Sequence, residues 1–372
     1  ITLNSNNGTE CVDGADSIVI RSSVNNTLRS WSNGTQGAGT FNIYNVDADD
    51  MTGAIVTAYT STLSGDTTWT VGSCIISIAG AANGNDGATV KVAVNGTTQG
   101  QTTTIGGGVW TIAGVAKPTV NDIVTVWVDG VSDNLESTAV TKWASGNITG
   151  MVLNTNTLSI GSNQNNSLSV TNLGLCDFDT GCADEDVMHT SDSGSLNVQG
   201  STNSYTDETL SVLVSNTLTV DSASSESVTT EILSNAGTIT ATGTPTINLD
   251  GSGTLFTNTG TFTAGSSTIK LNDSSSGAKT FAGAGGVFNN LWLAPGSGTG
   301  TFNITGSNTF NDFKDDGTGA HTIVFDAGST TSISSLDLDS DPASNITLQS
   351  STSGTGQWTF SDIGGTNYAY YT

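Results

Sequence analysis

The segment 176–186 holds the densest group of side chains that could bind a metal ion, with carboxylates between and after two cysteines. Asp177, Asp179 and Asp184 could wrap oxygen ligands around a cation, and such oxygens are the ligands that Ca²⁺ prefers. The spacing differs from an EF-hand, because neither the Gly nor a final Glu falls at the required place. The segment therefore predicts either a calcium site or a solvated acidic loop, and we expect no other cofactor to be required.

The four cysteines predict two disulfide bonds. Five residues separate Cys176 from Cys182, so this pair can close a local loop, which leaves Cys11 and Cys74 to pair by elimination. An even number of cysteines in an extracellular chain favours disulfides, although four cysteines allow three connectivities. Zinc is the alternative, but neither pair has the usual two-residue spacing and no His lies near Cys11 or Cys74.

The group closest to a catalytic constellation is Lys314, Asp315 and Asp316 with His321. Sugar-cleaving sites need two or three carboxylates that face one sugar, or a base beside acidic calcium ligands. Asp-Asp-Gly is, however, an ordinary turn signal, so we expect no enzymatic activity from this group. His189 has no second His near it and is interpreted as a strand residue.

The sequence also contains nine acceptor motifs for N-glycosylation, Asn-x-Ser/Thr. Many such motifs arise by chance in a chain rich in Asn, Ser and Thr, and they carry glycans only where the source organism glycosylates Asn. The motifs begin at Asn7, Asn25, Asn33, Asn95, Asn147, Asn165, Asn272, Asn303 and Asn345.

Composition narrows the class of fold and of partner. The 372 residues include 46 Gly, 8 Lys plus Arg and 33 Asp plus Glu, for a net charge of -25. The abundance of Thr, Ser and Asn suits strands and turns, which predicts an all-β chain. So negative a surface repels nucleic acid and anionic lipid, and no stretch is apolar enough for membrane insertion. We expect an extracellular or cell-surface location.

The C-terminal part of the sequence contains a repeat of 21 to 23 residues. Such a period indicates a solenoid, in which each coil is stabilised by stacking on the next. Polar residues between the apolar positions predict coils of short strands, as in a parallel β-helix. The apolar series are Phe281, Phe302, Ile323 and Ile346; Ile304, Phe325 and Leu348; Phe288, Phe310 and Ile333; and Leu291, Phe313 and Leu336.

Residues 74–150 follow a different pattern, because apolar and polar residues alternate in runs typical of antiparallel strands. The turns Asn95-Gly96 and Asp129-Gly130 predict hairpins. The Gly87 to Gly96 run, a Gly-x-Trp-x-Ile strand and an Ile-Val-Thr-Val-Trp-Val strand together resemble transthyretin-like or Cna-B-like Ig modules. The resemblance implies a β-sandwich that serves as a spacer.

The predicted domains are accordingly an N-terminal β-solenoid-like segment at 1–73, an Ig-like β-sandwich at 74–150 and a β-solenoid at 151–372. The N-terminal segment repeats the last one, since Ile18-Val-Ile20, Trp31 and Tyr44 match Ile346-Thr-Leu348, Trp358 and Tyr370 at offsets of 326 to 328. The solenoid part resembles repeat-rich surface proteins of prokaryotes, which form cell-surface polymers.

These patterns predict an extracellular structural protein, the subunit of a head-to-tail filament or surface array whose partners are copies of itself. Unpaired strand edges act as templates for another chain, so the ends of the solenoid are the expected contacts. An adhesin or fibre stalk that binds cell-surface carbohydrate is the alternative, and a polysaccharide-degrading β-helix enzyme is the third interpretation. The expected assembly residues are Ile1, Thr2, Leu3, Asn4, Tyr368, Tyr370 and Tyr371.

Overall fold

The computed structural model describes residues 75–370 with gaps at 193, 199–207, 222–226, 340–344, 353–355 and 366, and before residue 75 it describes backbone strands between 18 and 72. The chain divides into two compact units. The first comprises Ile1–Ser77 with Ala113–Lys117, and the second comprises Ile78–Ile112 with Pro118–Thr372. Each is described by itself below.

The first unit contains short strands that pair in parallel in three small sheets. The sheet orders are β1-β4-β7, β2-β5 and β3-β6-β8, so each of β1, β2 and β3 stands at the start of its sheet. The strands are β1 Ile18–Arg21, β2 Arg29–Trp31, β3 Asn42–Tyr44, β4 Val46–Asp49, β5 Met51–Gly53, β6 Val56–Tyr59, β7 Thr62–Ser64 and β8 Trp69–Gly72.

The next strands are divided between two sheets. One has the order β13-β9-β16 and the other β11-β10-β14-β15, with β12 also paired to β10. Positive φ angles at Asn95 and Gly96 form the predicted hairpin, since the two-residue turns that suit a hairpin need this conformation. The strands are β9 Ile75–Asn83, β10 Thr89–Val94, β11 Thr97–Thr98, β12 Thr103–Thr104, β13 Val109–Ala116, β14 Ile123–Asp129, β15 Ser137–Lys142 and β16 Ile148–Asn154, with a 3₁₀ turn at Asp133–Leu135.

A β-solenoid of about eight turns follows over residues 137–350. Its strands are β17 Thr157–Ile160, β18 Ser167–Ser169, β19 His189–Asp192, β20 Ser195–Val198, β21 Thr209–Val212, β22 Thr217–Asp221, β23 Ser227–Thr230, β24 Ile232–Asn235, β25 Thr238–Thr242, β26 Thr246–Leu249, β27 Gly253–Asn258, β28 Thr261–Thr263, β29 Thr268–Leu271, β30 Lys279–Ala282, β31 Val287–Leu293, β32 Thr301–Thr305, β33 Thr309–Asp315, β34 His321–Phe325, β35 Thr330–Asp339, β36 Ile346–Ser350, β37 Thr359–Asp362 and β38 Asn367–Tyr370, with the helix α1 at Val170–Leu173.

Three sheets form the walls of the solenoid. One runs β15-β17-β21-β24-β27-β30-β32-β34-β36, the second β18-β22-β25-β28, and the third β19-β20-β23-β26-β29-β31-β33-β35-β37, with β38 also paired to β35. Apart from the antiparallel pair β19 and β20, successive strands within these walls pair in parallel. In the part of the chain described, no helix is long and apolar enough to cross a membrane.

The predicted apolar series line the interior, but two of them run in a shifted register. Phe288, Phe310 and Ile333 pair as predicted. By contrast, Phe281 pairs with Ile304 and not with Phe302. Ile323 likewise pairs with Leu348 and not with Ile346. Both shifts equal two residues, and because side chains alternate along a strand, a shift of two leaves the same residues facing inward.

Aromatic side chains continue along this interior towards the last coil. Phe256 stacks on Phe281 with ring centroids 4.7 Å apart. Phe325 stacks on Trp358 at 4.4 Å with an interplanar angle of 6°. Such contacts contribute about 0.5–1.5 kcal/mol each beyond the burial of apolar area. The recurrence of Trp at 358 therefore has a structural reason, which is to extend the aromatic column into the final coil.

Candidate functional site

The last coil, β36 to β38, has strand edges that lack a neighbour on one side within the described chain. β36 pairs with β34, whereas β37 and β38 both pair with β35. Each of these three strands therefore keeps one row of backbone N–H and C=O groups for a further strand. Such a row is a template for pairing with another chain.

The interior of the last coil contains an apolar cavity of about 110 Å³. Its lining contains no polar surface, so the cavity suits an apolar side chain and not an ion. The lining residues are Phe313, Phe325, Ile333, Leu336, Leu338, Leu348, Trp358 and Phe360. In the coils before it, Phe302 and Phe310 are fully buried in the interior.

Two large apolar side chains of the last coil are exposed. Phe360 is 38% exposed and Ile363 is 53% exposed, whereas Phe310 and Phe313 in the preceding wall are buried. Exposed apolar groups that lie beside an apolar cavity mark a surface that another element can cover. We call strands β36 to β38, together with this cavity and Ile363, the coil face.

The predicted assembly residues lie partly on this face. Tyr368 and Tyr370 belong to β38, where they are in register with Asp337 and Asp339. Tyr371 and the segment Ile1, Thr2, Leu3 and Asn4 lie outside the described residues.

The first strands of the first unit correspond in part to those of the coil face. β1, which starts at Ile18, corresponds to β36, which starts at Ile346, 328 residues later. β3 at Asn42–Tyr44 likewise falls within β38 at the offset of 326 residues. β2 does not follow this rule, because Trp31 ends β2 whereas Trp358 precedes β37. The sequence match between the two segments is thus a match of strand positions for β1 with β36 and for β3 with β38.

The acidic loop near residue 180 contains the disulfide predicted between Cys176 and Cys182. Cys176 is fully buried and packs with Trp127, Ala93 and Val187. The loop is therefore fastened to the strands β10 and β14. The predicted bond between Cys11 and Cys74 lies outside the described residues.

The structure distributes the three candidate calcium ligands between two places. The buried Asp177 carboxylate accepts hydrogen bonds from the backbone N–H groups of Asp179, Thr180 and Ser191 at 2.6–3.1 Å, and so holds the turn in shape. Asp184 lies elsewhere, with carboxylate oxygens of Asp129 and Asp186 within 4.8 Å. Asp186 belongs to the acidic segment predicted from the sequence, whereas Asp129 was missed.

Lys91 supplies a positive charge to this acidic group. Its Nζ lies 2.5 Å from Asp129 Oδ1 and 3.1 Å from Asp184 Oδ2. The hydrogen bond to Asp129 raises the pKa of Lys91 above its ordinary value, against the effect of burial. Burial raises the pKa of Asp186, and the neighbouring charge of Asp184 acts in the same direction. The group could take up a divalent cation in exchange for the ammonium of Lys91.

The predicted Asp315 and His321 pair does form, inside the solenoid. His321 Nε2 lies 2.7 Å from Asp315 Oδ2, and Nδ1 lies 2.7 Å from the carbonyl oxygen of Gly319. Both ring nitrogens thus face acceptors, which favours the charged imidazolium. Burial by itself lowers the pKa of His321, but the hydrogen bond and charge of Asp315 outweigh it and raise the pKa above 6.5.

A second buried pair lies at the same corner of an earlier coil. The fully buried Lys279 places Nζ 2.5 Å from the carbonyl oxygen of Ser275 and 3.3 Å from Asp273 Oδ2. A Cβ at Gly300 would lie 2.4 Å from the backbone carbonyl oxygen of Gly277 and 2.8 Å from this Nζ, so the position requires Gly. Lys279 follows Asp273 by six residues, the same spacing as between Asp315 and His321. These charges stabilise corners between strands, and the side chains of Asp315 and His321 have no exposed surface with which to reach a sugar.

The outer surface of the solenoid carries Trp292, and the acceptor motifs for N-glycosylation are distributed along the chain. Trp292 is covered on both faces, because Lys270 Nζ and Lys314 Nζ lie 4.2 and 4.6 Å from its ring centroid. Its faces are therefore occupied by cations and do not offer a platform for a sugar ring. Among the described acceptor motifs, Asn95, Asn147, Asn165, Asn272 and Asn345 are exposed and Asn303 is half-buried, while Asn7, Asn25 and Asn33 lie outside the described side chains. His189 is a buried residue of β19, as predicted.

Searches against protein families, curated proteins and solved structures found no match to this chain.

Proposed function

We propose that this protein is an extracellular structural protein whose subunits join head to tail through the coil face into a filament or surface array. The observation that carries the proposal is the apolar cavity of the last coil, which is lined in part by the exposed Phe360 and lies among the open strand edges of β36 and β37. A coil of a second chain would place apolar side chains in the cavity and at the same time form backbone hydrogen bonds with the open strand edges.

The partner in this proposal is a second copy of the chain. β1 and β3 correspond in sequence position to β36 and β38, and among the described strands β1, β2 and β3 each stand at the end of a sheet, so the first coil offers strand edges to the coil face. Contacts between two different surfaces that do not close into a ring generate filaments. The association therefore repeats along one direction.

Two further properties belong to the proposal. The strands at 74–150 serve as an Ig-like spacer of the transthyretin or Cna-B type within a prokaryotic surface protein. The disulfide between Cys176 and Cys182 supports an extracellular location, because disulfides persist in oxidising compartments. Glycans on exposed acceptor motifs would be compatible with that location.

The test compares the parent chain with two variants that each place a carboxylate on an exposed apolar position. Phe360→Asp changes the coil face, whereas Val287→Asp changes a residue that is 65% exposed elsewhere on the solenoid. We expect uniform fibres in electron micrographs of the parent and of Val287→Asp. Phe360→Asp should remain monomeric in sedimentation velocity, with an unchanged β-type circular dichroism spectrum.

Several outcomes would contradict the proposal. Isolated particles from the parent at every concentration would favour the adhesin or stalk, particularly if they bound carbohydrate. Release of reducing sugar from a polysaccharide would favour the enzyme. Normal fibres from Phe360→Asp would show that assembly uses a surface other than the coil face.

A further inference from the structure

We infer that the first coil of one copy docks on the coil face of the next in a defined parallel register, with β1 on β36 and β3 on β38, guided by opposite charges. This inference rests on the proposed function and adds the pairing of individual residues. The register places Ile18 opposite Ile346 and Val19 opposite Thr347. The two pairs of strands would form together, because each belongs to one coil.

The first argument is the behaviour of equivalent residues inside the solenoid. Matched residues of successive coils are neighbours in register at Ile247 with Ile269 and at Phe310 with Ile333. At Phe281 and Ile323 the pairing is shifted by two residues, so that apolar positions still meet apolar positions. The first coil corresponds to the last coil, so stacking one on the other should place the apolar positions of β1 opposite those of β36.

The second argument is charge. The only two arginines of the chain, Arg21 and Arg29, lie in β1 and β2, and residues 18–44 contain no Asp or Glu. Residues 326–372 contain five Asp and no Lys or Arg. The first coil is therefore basic and residues 326–372 are acidic, in a chain whose net charge is -25. Complementary charges of this kind speed encounter and select the orientation.

The third argument is the geometry of the exposed strand β36. Its outward Thr347 and Gln349 are exposed while Ile346 is buried, so the strand alternates and only registers that keep this alternation bury the apolar residues. Because side chains alternate along a strand, a shift by one residue would set the apolar positions of β1 opposite Thr347 and Gln349, whereas a shift by two would keep apolar positions opposite each other. The sequence offset of 328 selects one register among those that remain.

Disulfide trapping tests the register, since Cα atoms in register on adjacent parallel strands lie about 4.8 Å apart, within reach of a disulfide. Chains that carry Val19→Cys are mixed with chains that carry Thr347→Cys and are then oxidised. We expect a dimer on non-reducing gels that dithiothreitol removes, at least tenfold more abundant than with Ile20→Cys in place of Val19→Cys. The parent chain and each variant alone serve as controls for the native cysteines.

The outcomes separate the inference from the proposed function. Fibres that form while Ile20→Cys or Arg21→Cys traps better than Val19→Cys would overturn the register and leave the filament standing. Fibres with no trapped dimer in any combination would overturn the docking of β1 on β36. Absence of fibres and dimers from the parent and all variants would overturn both.

A charge reversal tests the second argument. Arg21→Glu combined with Arg29→Glu should slow fibre growth more than tenfold at low ionic strength and leave the circular dichroism spectrum unchanged. Asp362→Arg on the coil face should restore part of the rate in chains that carry the reversed first coil. Equal growth rates of the reversed and parent chains at low salt would refute the role of charge.

Discussion

Replacing His321 with Leu should destabilise the solenoid through the carboxylate that it leaves behind. Asp315 is fully buried and occupies an inward position of its wall, in register with Leu293 before it and Leu338 after it. Without the imidazolium, its carboxylate keeps the backbone N–H of Gly317 as a hydrogen-bond donor. A buried ion deprived of its partner costs about 3–5 kcal/mol, and we expect a loss at the lower end because Lys279 lies near this corner.

The double variant Asp315→Leu/His321→Leu should recover this loss. Leu at 315 continues the column of Leu293 and Leu338, and no ion remains to be desolvated. Apolar replacement of a complete buried ion pair is often neutral or stabilising by about 1–4 kcal/mol. We therefore expect the free energy of unfolding of the double variant to lie within about 1 kcal/mol of that of the parent, or above it, although His321→Leu alone is destabilising.

Urea unfolding followed by circular dichroism measures these differences, and its pH dependence provides a second reading. The pKa of His321 is raised in the folded chain, so the stabilisation is complete below the unfolded pKa near 6.5 and is lost as the pH rises through the folded pKa. The parent should accordingly lose stability relative to the double variant as the pH rises above 6.5. A His321→Leu chain as stable as the parent at pH 6 would refute an ionised pair.

Three further predictions concern the core and the acidic loop. Phe310→Ala, at a fully buried position of the aromatic column, should lower the unfolding free energy by about 3–5 kcal/mol in the same urea assay. The combined change Cys176→Ala/Cys182→Ala should cost about 2 kcal/mol by releasing the short loop, and reduction of the parent should reproduce this loss if the bond is intact. Lys91→Met should leave three carboxylates close together without a counter-charge and so lower the melting midpoint. Ca²⁺ should raise the midpoint more in this variant than in the parent, and EDTA should reverse the gain. Equal responses of the two chains to Ca²⁺ would contradict ion exchange at this site.

The sequence predicted the solenoid because coils must present apolar residues at a fixed period. It also predicted the Asn95-Gly96 hairpin and the Cys176–Cys182 bond, since both depend on residues that are close in the chain. The shifted pairing of Phe281 with Ile304 was not predictable, because corners of different length can move a strand by two residues without exposing its apolar face.

Contacts between residues that are distant in the chain could not be predicted from the sequence either. Asp129 and Asp184 meet because the disulfide loop packs on β14, and no periodicity relates the two positions. The Asp-Asp-Gly signal did mark a turn, but it concealed that Asp315 still belongs to β33 and points into the core. The six-residue spacing to His321, repeated between Asp273 and Lys279, is the signal that could have revealed the buried pairs.

The parallel ladders of the solenoid have a mechanical consequence. Their backbone hydrogen bonds run along the direction in which the coils stack. Tension along that direction is therefore shared by all hydrogen bonds between two successive coils, and every such coil-to-coil interface carries the same force. The second wall stops at β28, and the ladder of the third wall lengthens from four register pairs between β26 and β29 to six between β31 and β33. This compensation keeps the number of bonds per interface similar, so the solenoid should yield over many coils at comparable force instead of at one weak seam.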